Sequence, residues 1–578
     1  MTNPTIPTAA AVNPITLEIV RNALTMIAEQ IAGRMIRSGT SYIIKEMEDC
    51  SAALFDGHGR LLAESASIPI HLNCIGITLR TVLDHYYPLD TWRPGDVVIT
   101  NDPYAGGESL SSHHTNDIIA FHPVFHQGRL VGFTALNVHH MDIGAMWMGT
   151  RGWGVEIWQE GLRIPPLKLI REGRRDEALM ALILNNSRVP AILENDLMGE
   201  AAGIQVGAQE FTRLFDSYGQ ETVLACFDAL IEQSERRTRA QIAAIPDGTY
   251  RHEEKILDDG AKGGPYTLKL AMTVAGDEVT FDFTGTDPQI EGPINAPLSA
   301  TMAATYYVMK CITDPDIANT EGCKAPVHIV APKGSLVNAQ LPAACFQRMI
   351  VCHSIVDLVM GAIAQAAPER AMADSCGCLY NSTVAPNLDT GEIGVASEVV
   401  PGGIGATAFA DGIDVMSCHV TNCPIPPIEA TEIEAPVLYL RREFAPDTGG
   451  AGRWRGGMGQ VLEYRVLGEK PLFHHTSQKS VITPQGMMGG LAADGGGWII
   501  NRGTPDERRL PHAIGDVEFL RRGDTVTHIS PGGGGYGNPA ERDPARIRAD
   551  YRAGLISRQA AIRDYGLDPE TQPAAAAN

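Results

Sequence analysis

The chain has no CxxC pair, no excess of basic charge and no apolar run near the roughly 20 residues that span a bilayer. Each absence excludes something. Lys+Arg 46 against Asp+Glu 68 leaves a net charge of −22, which argues against nucleic acid or an anionic membrane as partner, since both need a basic patch. The 11 cysteines are odd in number and scattered, so neither a disulfide framework nor a zinc–thiolate site is expected. Reduced, mostly buried thiols in a cytoplasmic protein are the expectation. The opening MTNPTIPTAAAVNP has neither the basic start nor the apolar core of a signal peptide. No GxxxxGK[ST] loop and no GxSxG elbow occur, so no ATP site and no serine nucleophile are visible. PGGGGYG at 531–537 has the glycines of a phosphate cradle without a strand–loop–helix context. No solenoid-type repeat is present.

What is present is a long chain of ordinary globular composition. Its 578 residues imply two to four domains or subdomains, at 44% apolar and 20% charged content. Sixty glycines and 37 prolines call for many turns. ITLEIVRNALTMIAEQIAGRMIRSGT has helical periodicity, and CSAALFDGHGRLLAES looks like two strands joined at Asp56-Gly57-His58-Gly59. SIPIHLNCIGITLRTVLDHYY gives a short extended entry and a helix, and GDVVITNDPYAGG a strand ending in a loop. Helices are predicted over 176–245, with Asn195-Asp196 as a cap, and a β-rich pattern follows from Gly248. Helices return in SATMAATYYVMKCI and SIVDLVMGAIAQAAP. A glycine-rich, loop-heavy β region covers 380–540, and two helices separated at Gly554, the second capped by Ser557, end the chain. The expected class is α+β, a large multi-subdomain protein with a mixed N-terminal part at 14–245, a β-rich part at 246–540 and a helical segment and tail at 541–578.

Residues 111–142, SSHHTNDIIAFHPVFHQGRLVGFTALNVHHMD, hold six of the 17 histidines, four of them as the pairs His113-His114 and His139-His140. IIAFHPVF and RLVGFTALNV are both strand-like, with Gln127-Gly128 between them. A two-residue turn there pairs Asp117 with Val138, Asn116 with His139 and His114 with Met141. Opposed Cβ atoms then lie about 4.5–5.5 Å apart. The open end of the hairpin therefore gathers His114, Asp117, His139, His140 and Asp142. Imidazoles and a carboxylate at that separation suit a divalent ion of borderline softness: Mn, Fe or Zn. The competing reading is solvated or hydrogen-bonded histidines at a strand end. His122 and His126 are read as structural. Lys45-Glu46-Met47-Glu48-Asp49 reads by itself as a solvated face that could lend a carboxylate, and Asn101 and Asp102 as turn caps.

These residues resemble the hydantoinase B/oxoprolinase family, the B-type subunits of ATP-dependent hydantoinases and lactamases, related to subunits of acetone and acetophenone carboxylases. The stretches that carry the resemblance include NPITLEIVRNAL, IKEMEDCSAALFD, SIPIHL, GDVVITNDPYAGG, HHMD at 139–142, EGLRIPPLKL, FDFTGTDPQIEGPINAPLSAT, NTEGCKAPVHIVAPKGSLVN, GGAGRWRGGMG and GDTVTHISPGGGGYGNPAERDP. The resemblance implies a separate A-type subunit that binds ATP and Mg and phosphorylates the substrate carbonyl oxygen. The B-type chain would carry out the second step at a metal site, in a heterotetramer or larger complex. By position, the family's metal ligands fall on Asp49, His114, Asp117 and His139, with His140 as fallback. His140, Asp142 and His71 are candidates for catalysis, and Asn101, Asp102 and Glu46 for substrate contact.

Two departures from the family pattern stand out. GGESLSSHHTND carries extra residues, which makes His113 part of an insertion that shapes the pocket. Met47 stands where many members have arginine, so a local cation is lost. The resulting expectation is the metal-dependent B subunit of an ATP-dependent hydrolase of a cyclic amide (hydantoin, 5-oxoproline or a lactam such as caprolactam). A ketone carboxylase subunit and a non-catalytic scaffold are the alternatives.

Overall fold

A first core is built by the N-terminal third. In the computed structural model, which describes residues 12–148, 154–260, 263–388, 391–510, 514–515 and 517–571, helix α1 (Pro14–Ser38) starts where the Asn13 side chain accepts from the Ile15 N–H and proline occupies the first turn. Its buried Val20, Leu24, Ile27, Ile31 and Met35 recur at helical spacing. Helix α2 (Tyr42–Met47) ends at Glu48, whose left-handed backbone (φ 50°) turns the chain so that Asp49 enters strand β1 (Cys50–Asp56). Strand β2 (Leu61–Glu64), helix α3 (Pro69–His85) and strands β3 (Val97–Thr100), β4 (Asp117–His126), β5 (Arg129–His139), β6 (Leu167–Arg171) and β7 (Arg174–Arg175) follow. The seven strands form one antiparallel sheet in the order β2-β1-β5-β4-β3-β6-β7.

Strand alternation gives this sheet two buried faces. Cys50, Ala52, Leu54, Ile118, Ala120, Leu136 and Val138 pack against α1 and the long helix that follows the short α4 (Glu177–Leu184), namely α5 (Pro190–Tyr218). Ala53, Phe55, Ile119, Phe121, Phe133 and Ala135 pack against α3. Asn195 and Asp196, read from sequence as a cap, lie inside α5. The helix starts instead at Pro190, and Asp196 accepts from the backbone N–H and hydroxyl of Thr40 at the end of α1.

The hairpin register differs from the sequence expectation by one residue. Gln127 and Gly128 form the turn with positive φ, and His126 faces Arg129 and Phe125 faces Leu130. Val131 is then an extra, bulged residue, so Val124 faces Gly132 and, further on, Asp117 faces His139 directly. The signal was Gly132, a glycine inside a strand pattern. A Cβ there would collide with Phe55 and Phe211.

After α6 (Gln220–Ile242) the chain forms a second core. Strands β8 (Gly248–Ile256), β9 (Tyr266–Ala275), β10 (Glu278–Asp282) and β11 (Val327–Val330) make a sheet in the order β11-β10-β9-β8, covered by α7 (Leu298–Ile312) and α8 (Met349–Ala366). By length and hydropathy α8 could cross a membrane, yet 72% of it is buried in this core. The region beyond holds a four-stranded sheet led by Leu379–Pro386 and a five-stranded sheet led by Val437–Ala445, around a third core. The 531–537 glycines pack backbone against backbone in that region. Gly533 N–H donates to Gly457, Gly534 to Asp374 and Gly535 to Leu491, so these donors are spent on carbonyls and cradle no phosphate. Helices Pro544–Arg552 and Arg558–Tyr565 close the described chain, the second capped by Ser557.

Candidate metal centre

The face of the N-terminal sheet that packs on α3 also collects the polar groups at its edge. Asp117 opens β4 and His139 closes β5, opposite one another and on that same face; His71 projects from the first turn of α3. Asp117 is fully buried and central. Its Oδ1 lies 2.8 Å from His139 Nδ1 and 2.9 Å from His114 Nε2. Its Oδ2 lies 3.0 Å from His113 Nδ1 and 3.3 Å from His71 Nε2. Asp49 stands above them, 3.5 Å from His71 Nε2 and 3.9 Å from His139 Nδ1, and its backbone carbonyl accepts the His139 N–H. The rings form a column, with His71 stacked on His113 at 5.3 Å and His113 on His114 at 5.5 Å, and with His114 4.9 Å from His139.

The donor set fits a divalent transition ion. His114, Asp117 and His139 each offer a ligand atom within 4.8 Å of the others, and His71, His113 and Asp117 form a second such group. Nδ1 of His114 and Nε2 of His139 are buried without a hydrogen-bond partner among the described residues. Such orphans are costly unless something else satisfies them. Mixed imidazole and carboxylate ligation is the chemistry of Mn, Fe or Zn. Burial and the nearby Arg348 guanidinium push His113 and His114 well below the usual histidine range, so their rings are neutral and able to ligate. For Asp117 burial acts upward, but the electrostatic attraction and hydrogen bonding of the surrounding imidazoles His114, His71 and His113 outweigh it and hold the carboxyl well below its usual range. At His71 burial is outweighed by Asp117, and the net shift is upward.

A small cavity of ≈ 70 Å³ opens on the cluster. Asp49, His71, His114 and His139 form its polar floor, and its walls are Ile43, Met47, Ile68, Ile70, Phe346, Met349 and Val399, with Tyr380, Thr421, Cys423 and Arg348. Distant segments are held there by specific bonds. Glu160, pushed up to about 8 by burial despite the backbone donors it accepts, takes the N–H groups of Cys345 and Phe346. Residues 420–423 dock on α3 through Ile70 N–H to Val420 carbonyl and Asn422 Nδ2 to Ser67 carbonyl.

Asp49, His71, His114, Asp117 and His139 are thus brought together, with His113 at the same carboxylate. The other sequence candidates are not. His140 follows His139 on the strand and so points to the opposite face, where its Nε2 lies 3.4 Å from Glu200 of α5. Asp142 is held by Arg188, at 2.7 Å from its guanidinium and 2.6 Å from its backbone N–H. Asp102 makes a two-pronged pair with Arg163, and Asn101 bridges Thr115, Leu162 and Ile164. Glu46 is half-buried on α2 and does not line the cavity. Sequence reasoning missed Arg348, whose setting in FQRMIVCHS carries no motif and which lies over 200 residues from the hairpin. His122 and His126 are structural, bonded to the Asp96 carbonyl and to Gln220 and Asp216.

The fold has counterparts. Residues 13–539 match the hydantoinase B/oxoprolinase family, and the chain belongs to that family. It is 31% identical to the caprolactamase subunit beta of Pseudomonas jessenii, over 96% of each chain. It is also 31% identical to 5-oxoprolinase 1 of Arabidopsis thaliana, over 91% of this chain and 42% of that protein. The crystal structure of the ATP-dependent caprolactamase from Pseudomonas jessenii superposes with a TM-score of 0.88 at 29% identity, covering 98% of this chain and 99% of that one. A nucleotide-free acetone carboxylase shares the fold, with a TM-score of 0.88 at 20% identity over 96% of this chain and 79% of that chain.

Proposed function

We propose that this chain is the metal-dependent B subunit of an ATP-dependent cyclic-amide hydrolase and opens a ring that a separate ATP-binding subunit has phosphorylated on its carbonyl oxygen. The observation that carries the reading is the buried tripod of His114, Asp117 and His139, with orphaned ring nitrogens, whose histidines form part of the floor of a cavity, in a chain of this family. The named activities of the caprolactamase and 5-oxoprolinase relatives support the substrate class.

An unstrained lactam is a poor electrophile, and phosphorylation of its oxygen supplies a leaving group. His114, Asp117 and His139, with Asp49 beside them, would hold the divalent ion. Such an ion polarises an oxygen or lowers the pKa of bound water when present. Asp117 fixes the imidazoles through both of its oxygens, and the neutral ring of His114 keeps a lone pair available. His71, raised in pKa by Asp117, holds at Nε2 the proton that the departing ring nitrogen takes. The apolar walls exclude bulk water. In balance, one water opens the ring, a second accompanies phosphate release, and the products are the ring-opened acid, ADP and phosphate.

The test is co-expression with the ATP-binding partner, a screen of hydantoin, 5-oxoproline and unsubstituted lactams with and without ATP, and metal analysis of the same preparation. ATP-dependent appearance of the ring-opened acid together with a bound transition metal is expected. A purified active complex without transition metal, or bicarbonate-dependent consumption of a ketone in place of ring opening, contradicts the reading.

A further inference from the structure

Arg348 alone among the described residues lining the cavity carries a fixed positive charge. It is 4% exposed and sits at the start of α8. Of its five N–H donors, Nε donates to His113 Nδ1 at 3.0 Å and one on Nη1 to the Phe346 carbonyl at 3.3 Å. Nη2 lies 3.6 Å from Asp117 Oδ2, an ion pair beyond hydrogen-bond length. Its protons have no hydrogen-bond acceptor among the described residues, on a side chain that is almost wholly buried.

We propose that Arg348 receives the phosphoryl group of the activated substrate. This rests on the reading that the substrate arrives phosphorylated. Charge is the first argument. Asp49 and Asp117 together balance a divalent ion, and the fixed charge of the Arg348 guanidinium is left facing the cavity. A neutral lactam has no use for that charge; a phosphorylated one, two negative charges richer, does. A guanidinium also matches the geometry of phosphate oxygens with two parallel N–H groups. Helix α8 is the second argument. It is 18 residues long, it has no side-chain cap, and Met349 of its first turn lines the cavity, so the positive end of its dipole opens on the same space. His114 is the third. With Nε2, the nitrogen beside Asp117, on a metal, Nδ1 remains unpartnered in this cavity and can donate to an anionic oxygen. The turn that carries Arg348 is fixed from outside the site, by Glu160 on the N–H groups of Cys345 and Phe346.

The experiment is inorganic phosphate binding to the metal-loaded complex with saturating ADP, so that the partner's nucleotide site behaves alike in every sample. Calorimetry compares wild type, Arg348→Lys and Arg348→Met, and metal content and ATP-dependent ring opening are read on the same preparations. Arg348→Met is expected to weaken phosphate binding at least tenfold with metal retained. Arg348→Lys, which keeps the charge and loses the fork, is expected to weaken it less. Phosphate affinity equal to wild type in Arg348→Met overturns the proposal, as does a wild-type complex that opens lactams with ATP and binds no phosphate. Should Arg348→Met fail to fold, Arg348→Lys against wild type decides, and equal affinity overturns it. ATP-independent ring opening by wild type would instead sink the phosphorylated-substrate reading, a separate outcome of the same assay.

Discussion

Asp117→Asn removes one charge at almost constant volume and so isolates what the carboxylate does. Asp117 is fully buried and touches four imidazoles at 2.8–3.3 Å, with Arg348 at 3.6 Å. Neutralising one partner of a buried ion pair costs about 3–5 kcal/mol, because the other charge is left uncompensated. Arg348 keeps its bonds to His113 and Phe346 in the variant, which places the cost near the lower end, about 3 kcal/mol. A metal at 100 times its dissociation constant stabilises the folded state by about 2.7 kcal/mol more, and the variant forgoes this too. The assay is thermal unfolding of the protein with and without added Mn²⁺ or Zn²⁺, alongside elemental analysis. Wild type is expected to melt higher when metal is added; Asp117→Asn is expected to start lower and not respond. A variant that keeps wild-type metal content, or shows the same metal-dependent rise, refutes the assignment of Asp117 as the shared ligand.

Other consequences are separable from the metal. His140→Gln and Asp142→Asn are expected to leave metal content unchanged, since both side chains point away from the cavity; elemental analysis checks this, and metal loss in either would return it to the site. Asp102→Asn breaks the pair with Arg163 and is expected to cost about 1–3 kcal/mol by denaturant titration without loss of metal. Glu160 gives a pH signature. Its folded pKa of about 8 lies above the ordinary carboxyl value near 4.3, so the folded state keeps a proton that the unfolded state releases. Its contribution to stability is therefore full below about pH 4 and is lost as pH rises to about 8. The melting temperature of wild type minus that of Glu160→Gln is expected to fall across that window, and parallel curves would contradict the placement of Glu160.

Much of this was legible in the residues because it is local. Helix α1, the β1–β2 turn, the Gln127-Gly128 hairpin and the Ser557 cap each rest on spacing or a cap within a few positions. The site was half legible. The hairpin brought His114, Asp117 and His139 together by pairing alone, but the partners of each residue needed the bulge at Val131. That bulge puts His139 opposite Asp117 and sends His140 to Glu200, reversing the fallback that a shifted register implied. Asp49 and His71 came from the family pattern, since a solvated charged run and a helix start carry no site signal by themselves. Arg348, Phe346 and Cys423 were invisible because cores beyond the first supply them, and contacts between distant segments follow from packing and not from periodicity. Asn101 and Asp102 show the converse: polar residues at a loop beside the site that are occupied in holding the loop.

The central claim is that this chain's hairpin tripod opens the ring after phosphorylation elsewhere. The direct measurement is ring-opened acid formed per ADP by the assembled complex, wild type against His114→Ala, with assembly verified by sedimentation. Acid formation is expected to fall by about 100-fold or more, the loss of a metal ligand exceeding that of the groups that merely orient it, while the subunits stay together. Ring opening by His114→Ala at the wild-type rate would contradict the claim.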